Sequence, residues 1–268
     1  MYILVLNCGS SSLRYSVFEK DTGARVQHGK VERIGDSVDG RLRTHQQAVS
    51  RALDETREFE IVAVGYRVVH GGTRYAAATL IDAAVLAEIE ARIPDAPMHN
   101  PYALAAIRAT QAERPGIPHV AVFDTAFHAT MPRRAKTYAI DTDVAQRHGI
   151  QRFGFHGTSH AWVAERAAEF IQRPLAELRL ITLHLGNGAS ACAVEYGHST
   201  ETSMGNTPLE GLVMGSRSGD VDAGVLMTLL RTDEFTVDTL DDMLNNRSGL
   251  AGLSGVSNDL REIEDLAE

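Results

Sequence analysis

The sequence predicts an α/β protein, with two related halves or a chance likeness of two glycine turns as the alternatives. Three observations carry this: apolar runs of strand length, amphipathic stretches of helix length between them, and a glycine hairpin loop that occurs twice. Residues 2–7 are continuously apolar up to Asn7, as a buried strand reads. A Gly-Ser-Ser-Ser turn follows, and residues 13–18 alternate as a half-buried strand. The chain therefore opens with a hairpin. Residues 46–57 read as a helix, 61–69 as a buried strand, and 82–93 as a helix ending before Pro94. Asn100-Pro101 opens the next helix, with Asn100 as its cap and Gly116 closing it. Residues 118–123 are a strand running into Asp124, and 125–136 a connection.

Thr158 or Ser159 can cap a helix through Phe170, with Val163, Ala167 and Phe170 on one face. Leu180–Leu185 reads as a buried strand, Gly186-Asn187-Gly188 as its turn, and Ala191–Glu195 as the return strand. Residues 203–220 are rich in Gly and Ser without periodicity, so a long loop is expected there, and such loops are usually functional. Residues 222–231, 237–244 and the segment from about Asn258 read as helices. Residues 3–17 and 181–194 share one plan of strand, glycine turn and return strand, with Asn7-Cys8-Gly9-Ser10 opposite His184-Leu185-Gly186-Asn187.

The 268 residues carry a net charge of −9, with five acidic side chains among the last ten positions. Such a chain is a poor match for nucleic acid or an anionic membrane. Cys8 and Cys192 are too few for a disulfide framework. The short N-terminal apolar run lacks a basic head, and no stretch has the length of a membrane span, so a cytoplasmic protein is expected.

Several loops carry candidate chemistry. Asn7-Cys8-Gly9-Ser10-Ser11-Ser12 offers backbone N–H groups, hydroxyls and an amide for phosphate or hydrated Mg²⁺, or is simply a polar turn. Gly186-Asn187-Gly188-Ala189-Ser190-Ala191 matches the dinucleotide pattern G-x-G-x-x-A, but a strand follows where that motif needs a helix. A phosphate-facing hairpin is the better reading. Arg67 and Arg217 sit among glycines and could bracket a transferring phosphoryl group, or form surface ion pairs. Asp124 at a strand end could orient a nucleophile, bind metal-held water, or cap a turn. His156 and His160 have the i, i+4 spacing of a zinc pair, without the H-E-x-x-H pattern.

Together these segments resemble the acetate kinase family. The resemblance is carried in order by residues 4–13, Tyr66–Gly72, Met98–Pro101, Phe123–His128, Phe153–His160, Leu183–Ser190 and Thr202–Asp220. It implies a duplicated actin-like (ribonuclease H-like) fold: a first domain over 1–126 with its phosphate hairpin at 6–13, and a second over 127–268. It also implies Mg²⁺-dependent, reversible transfer of the ATP γ-phosphoryl to acetate, with propionate or butyrate as the near alternative. By the same resemblance Asn7 is on the metal side. Ser10, Ser12, Arg14, His184, Leu185, Gly186, Asn187 and Gly188 bind phosphates. Asp124, Arg67, Arg217 and His156 are catalytic, with His99 close by. Arg67, Val69, Met98, Phe155 and Pro208 hold the acid. Family members resemble homodimers. Arg14, Tyr66, Met98 and Ala223 stand where the family usually has Lys, His, Leu and Pro. The family also continues beyond this chain with a Gly-rich adenosine loop, so an incomplete second domain with exposed apolar surface is expected. An inactive fragment that keeps the phosphate loops, or a dinucleotide-binding oxidoreductase resting on the Gly186 pattern, are the readings of another class.

Overall fold

The computed structural model describes residues 1–267 apart from 36, 39, 40, 43 and 98. Along it run β1 (Tyr2–Cys8), β2 (Ser12–Glu19), β3 (Arg25–Glu32), the short β4 (Ser37–Val38) and β5 (Arg41–Leu42), α1 (His45–Glu55), β6 (Ile61–Val68), β7 (Thr79–Leu80), α2 (Ala83–Ala91), α3 (Asn100–Glu113) and β8 (His119–Phe123). After a 3₁₀ turn at Phe127–Thr130 come α4 (Arg133–Lys136), α5 (Thr142–His148), α6 (Gly157–Phe170), β9 (Arg179–Leu185), β10 (Ala189–Glu195) and β11 (His198–Thr202). The chain then continues through α7 (Ala223–Leu230), α8 (Val237–Asn246), α9 (Gly249–Ser254) and α10 (Leu260–Ala267). It divides into two compact units, Met1–Ala126 and Phe127–Glu268.

The first unit holds a six-stranded sheet in the order β3-β2-β1-β6-β8-β7. β1, β6 and β8 run parallel, while β2, β3 and β7 pair antiparallel with their neighbours. The apolar runs of β1 and β6 suit strands covered on both faces. Leu4, Leu6, Val64, Val68, Val49 of α1 and Ile107 of α3 share the core. α1 starts on a capping box: Gln47 N–H donates to Thr44 Oγ1 at 3.2 Å, and Thr44 N–H to Gln47 Oε1 at 2.9 Å.

The second unit carries an antiparallel sheet in the order β11-β10-β9, with a small core of Ala164, Cys192 and Val194. The two expected hairpins are present, each with a three-residue loop. Gly9 N–H donates to Ser12 O at 2.8 Å in one, and Gly186 N–H to Gly188 O at 3.0 Å in the other.

Several expectations need correction. Asn100 lies inside α3 and the cap position belongs to His99, because the Asn100 amide is spent on backbone elsewhere. Gly116 does not close that helix, which ends at Glu113. Neither Thr158 nor Ser159 caps α6, which begins directly after His156. The buried face of α6 is Gly157, His160, Ala164 and Ala168, and Phe170 is 88% exposed. β9 is not a buried strand: Ile181 and Leu185 are 79% and 71% exposed. The connection at 125–136 contains a 3₁₀ turn and α4, and β3, β11, α5 and α9 lack a strong periodic signal. Met98 lies outside the described residues.

Candidate functional site

Three side chains gather where the parallel strands of the first unit end. Asn7 is near the end of β1, Arg67 near the end of β6, and Asp124 directly follows β8. Ligand groups in open α/β sheets collect at these carboxyl ends. Asp124 N–H donates to Val68 O at 2.9 Å, which continues the ladder and points the side chain back at β6. Arg67 Nε donates to Asp124 Oδ1 and Oδ2 at 3.0 and 3.2 Å, and Nη2 to Oδ2 at 2.6 Å. Nη1 reaches Asn7 Oδ1 at 3.4 Å.

Asp124 is 1% exposed and Arg67 35% exposed. The carboxylate thus sits inside and the guanidinium extends outward. The Asp124 charge pushes the Arg67 pKa further up, so Arg67 is a permanent cation. A fork held on one edge by a buried carboxylate presents its other N–H groups to an anion in fixed geometry. Asp124 accordingly reads as the group that aims Arg67.

Ser10 lies in the adjoining hairpin loop, Ser12 opens β2, and Arg14 lies opposite Asn7 in the β1–β2 register. His45 Nε2 is 3.0 Å from Gly9 O and ties the loop to α1. The Asn7 amide oxygen and the two hydroxyls are hard oxygen donors, the kind that Mg²⁺ accepts while keeping several waters, whereas the Asp124 carboxylate is taken by Arg67. These residues fit the ion.

Val69, expected as the last residue of a buried strand, is buried just beyond the end of β6 at Val68. Asn100 holds the loop that follows in place. Its Oδ1 accepts from His70 N–H at 3.2 Å, and its Nδ2 donates to His70 O and Ile89 O at 3.0 and 3.1 Å. Burial lowers the His70 pKa to about 4, so the ring is neutral and its Nδ1 accepts from Gly72 N–H at 3.0 Å. A Cβ on Gly71 would lie 2.5 Å from the Phe123 ring, which explains glycine there. Tyr66, where the family usually has His, is buried with its hydroxyl 2.6 Å from His119 Nδ1, so it serves the core.

A second group forms in the second unit. His156 precedes α6 at φ 59° and ψ 20°, the left-handed region that favours glycine. Such a backbone costs on the order of 1–3 kcal/mol, and Arg33, Gln172, Tyr196 and Asp233 share it. His156 stacks on His184 with ring centroids 4.0 Å apart, and His184 Nδ1 is 2.9 Å from Ser159 Oγ. Gly188 lets Arg217 close in: a Cβ there would lie 2.6 Å from Arg217 Nη2 and 3.4 Å from His156 Nε2. Arg217 Nη1 donates to Pro208 O at 2.5 Å. Asn187 O accepts from Gly215 N–H at 2.9 Å, and Asn187 Oδ1 from Asn258 Nδ2 at 3.0 Å. Phe155 is buried, and its carbonyl is 2.9 Å from His128 Nε2.

Arg152, which sequence reasoning missed, organises the long loop. Its Nη1 donates to the carbonyls of Thr202, Ser203 and Met204 at 3.2 Å each, and its Nη2 to Glu210 at 2.6 Å. No motif points to it, because its partners are backbone carbonyls and the Glu210 carboxylate, all about fifty or more residues away in sequence.

Neither cysteine is suited to nucleophilic work. Burial pushes Cys8 up to about 12 and Cys192 up to about 11. What the sites offer is fixed cations and oriented hydrogen bonds, the equipment of phosphoryl transfer.

The Acetokinase family model matches residues 2–268. The chain belongs to the acetokinase family. It is 44% identical over 292 residues to the acetate kinase of Halothermothrix orenii, covering 100% of this chain and 73% of that one. It is 49% identical to the acetate kinase of Deinococcus radiodurans, covering 100% and 72%. The crystal structure of Porphyromonas gingivalis acetate kinase aligns at TM-score 0.89 and 41% identity, over 99% of this chain and 73% of that one. A propionate kinase from Francisella tularensis aligns at TM-score 0.93 and 39% identity, with the same coverage. This acetokinase-family chain is thus a phosphotransferase, and the expected duplicated actin-like α/β fold stands with it. Among the described residues no helix is long and apolar enough to cross a membrane.

Proposed function

We propose that this chain catalyses Mg²⁺-dependent, reversible transfer of the ATP γ-phosphoryl to acetate, giving acetyl phosphate and ADP. The observation that supports it most is the Arg67–Asp124–Asn7 group at the strand ends, within a family whose relatives are named acetate kinases. Acetate is already ionised at pH 7, so its oxygen needs no general base. Its lone pair forms the new bond to the γ-phosphorus, and the bond to the β-phosphate oxygen breaks with ADP leaving.

The work left for the protein is positioning and neutralising charge. On this reading Arg67 holds the carboxylate and one phosphoryl oxygen, and Asp124 prevents it from swinging away. Val69 and Phe155 offer apolar surface to the methyl group. Arg217 and His156 bind the transferring phosphoryl. Ser10, Ser12 and Arg14 receive phosphate oxygens, as do Asn187 and the backbone N–H group of Gly188. Asn7 with the serine hydroxyls would hold hydrated Mg²⁺, which when bound offsets phosphate charge.

The likeness to a propionate kinase supports the next acid in the series as a second substrate. One methylene changes selectivity by only about 1–3 kcal/mol. The test is hydroxylamine trapping of acyl phosphate with acetate, propionate and butyrate in turn. We expect ATP-dependent hydroxamate with acetate in front. Hydroxamate that favours butyrate would reassign the substrate, and none from folded chain would refute the activity.

A further inference from the structure

The hairpin loop between β1 and β2 has its carbonyl groups held by donors. Gly9 N–H donates to Ser12 O at 2.8 Å, Ile34 N–H donates to Ser11 O at 2.9 Å, and His45 Nε2 lies 3.0 Å from Gly9 O. A carbonyl can only accept, so His45 Nε2 carries a proton in either charge state of the ring. Among the described residues nothing accepts from the N–H groups of Ser10 and Ser11. Ser10 is half-buried and Ser11 exposed.

The His45 donor is held from both sides. His45 is the first residue of α1, and the Thr44–Gln47 capping box fixes where that helix begins. Its ring stacks on Tyr102 of α3, with centroids 4.7 Å and planes 21° apart. Val49 and Ala52 of α1 and Ala103 and Ile107 of α3 lie in the core of the first unit, which anchors both helices. The reaction proposed above gives neither His45 nor Tyr102 a part.

The peptide plane carries this restraint to Ser10. No cis peptide bond occurs among the described residues. In a trans peptide the C=O of one residue and the N–H of the next share a plane and point in opposite directions. A Gly9 carbonyl held on α1 therefore turns Ser10 N–H away from α1. Glycine at position 9 has the widest backbone freedom, so nothing in its own side chain would resist a flip of this plane. A flip would put the carbonyl oxygen where the N–H had been. The N–H attracts a phosphate oxygen and the carbonyl repels it.

We propose that His45 is a positioning residue of the phosphate hairpin, which holds the Gly9 carbonyl on α1 and so presents Ser10 N–H to a phosphate oxygen of ATP. The proposal rests on the functional reading above for its nucleotide, and the response of the loop is measured apart from turnover. A bond to a phosphate oxygen that exists before and during transfer strengthens both states alike, so its loss shows in KM and not in kcat.

The test is an amide NMR spectrum of the full chain with Ser10 assigned, titrated with ATP in the presence of Mg²⁺, for wild type, His45→Phe and His45→Gln. Phe keeps a ring on Tyr102 and removes the donor, whereas Gln restores an N–H at a similar reach. The Ser10 amide should shift in the wild type and in His45→Gln, and much less in His45→Phe. In steady-state kinetics His45→Phe should raise the KM for ATP by about tenfold to a hundredfold, the scale of one hydrogen bond to a charged group. kcat and the KM for acetate should stay near wild type, and His45→Gln should recover most of the loss. An equal Ser10 response in His45→Phe overturns the proposal. So does a loss spread evenly over kcat and both KM values, which means a merely structural role. If His45→Phe does not fold, the wild type still decides: a neutral His45 with its proton on Nδ1, in a histidine nitrogen spectrum, overturns the proposal. A wild-type Ser10 amide that ignores ATP while acyl phosphate forms refutes the positioning alone. A Ser10 amide that shifts in a wild type making no acyl phosphate refutes the functional reading alone.

Discussion

The hairpin β1–β2 and the hairpin β9–β10 are built to one plan and meet different surroundings. Both are antiparallel, with three-residue loops that begin in glycine. β1 is flanked by β2 and β6, and Leu4 and Leu6 on it are almost fully buried. β9 lies at the edge of its sheet, with Ile181, Leu183 and Leu185 exposed. The apolar run alone specifies a strand. Whether that strand is buried depends on the layers packed against it, which a local pattern does not encode.

The largest expected effect comes from the strand ends of the first unit, which the second unit's exposed sheet does not match. Arg67→Ala is expected to lower kcat by about two to three orders of magnitude, the scale of losing a preorganised donor to developing charge. Asp124→Asn should reproduce much of that loss while Arg67 is still present, because the fork is no longer held. Steady-state kinetics of both variants decide it, and an Asp124→Asn enzyme with wild-type kcat would remove the aiming role.

Stability separates the hairpins next. Leu4→Ala should cost about 2–5 kcal/mol, as buried leucines do. Leu185→Ala on the exposed strand should stay within about 0.5 kcal/mol. Denaturant titration of the two variants measures the contrast, and equal losses would mean that β9 is covered in solution. Asn100→Ala strands buried backbone groups of His70 and Ile89, so a loss of about 1–3 kcal/mol is expected.

A further effect is on pH dependence. His70 and His160 have pKa values lowered to about 4 and about 3 by burial, against 6.5 in an unfolded chain. Below pH 6.5 the unfolded chain takes up protons that the folded one refuses. Stability should therefore fall with decreasing pH through that window, by up to about 1.4 kcal/mol per unit for each ring, and stop changing on this account below the folded values. His160→Gln should make the acid side shallower, as followed by thermal melts from pH 7 to about 4. A slope unchanged in that variant would contradict a buried neutral His160.

Much of this was legible in the sequence, for physical reasons. The hairpins, β6 and β8 follow from apolar runs bounded by glycine and polar turns. Arg67 and Asp124 stand out because charged residues interrupt or end those runs. The Ser10–Ser12 loop and Gly186–Gly188 were visible as clusters of donors and glycines. Asn100 was misread because an Asn before Pro matches a cap, and only the fold shows its amide clamped on the His70 backbone. Arg152 and His45 were hidden because their partners are distant in sequence or lie in the backbone. Val163, Ala167 and Phe170 share a helical face, but packing chose the neighbouring face of His160, Ala164 and Ala168.

The measurement that bears most directly on the account is transfer of label from γ-labelled ATP to acetate by this chain, with Arg67→Ala alongside. The account predicts a hydroxylamine-sensitive labelled acyl phosphate from the wild type and almost none from the variant. Equal labelling by both, or label released only as inorganic phosphate, would contradict it.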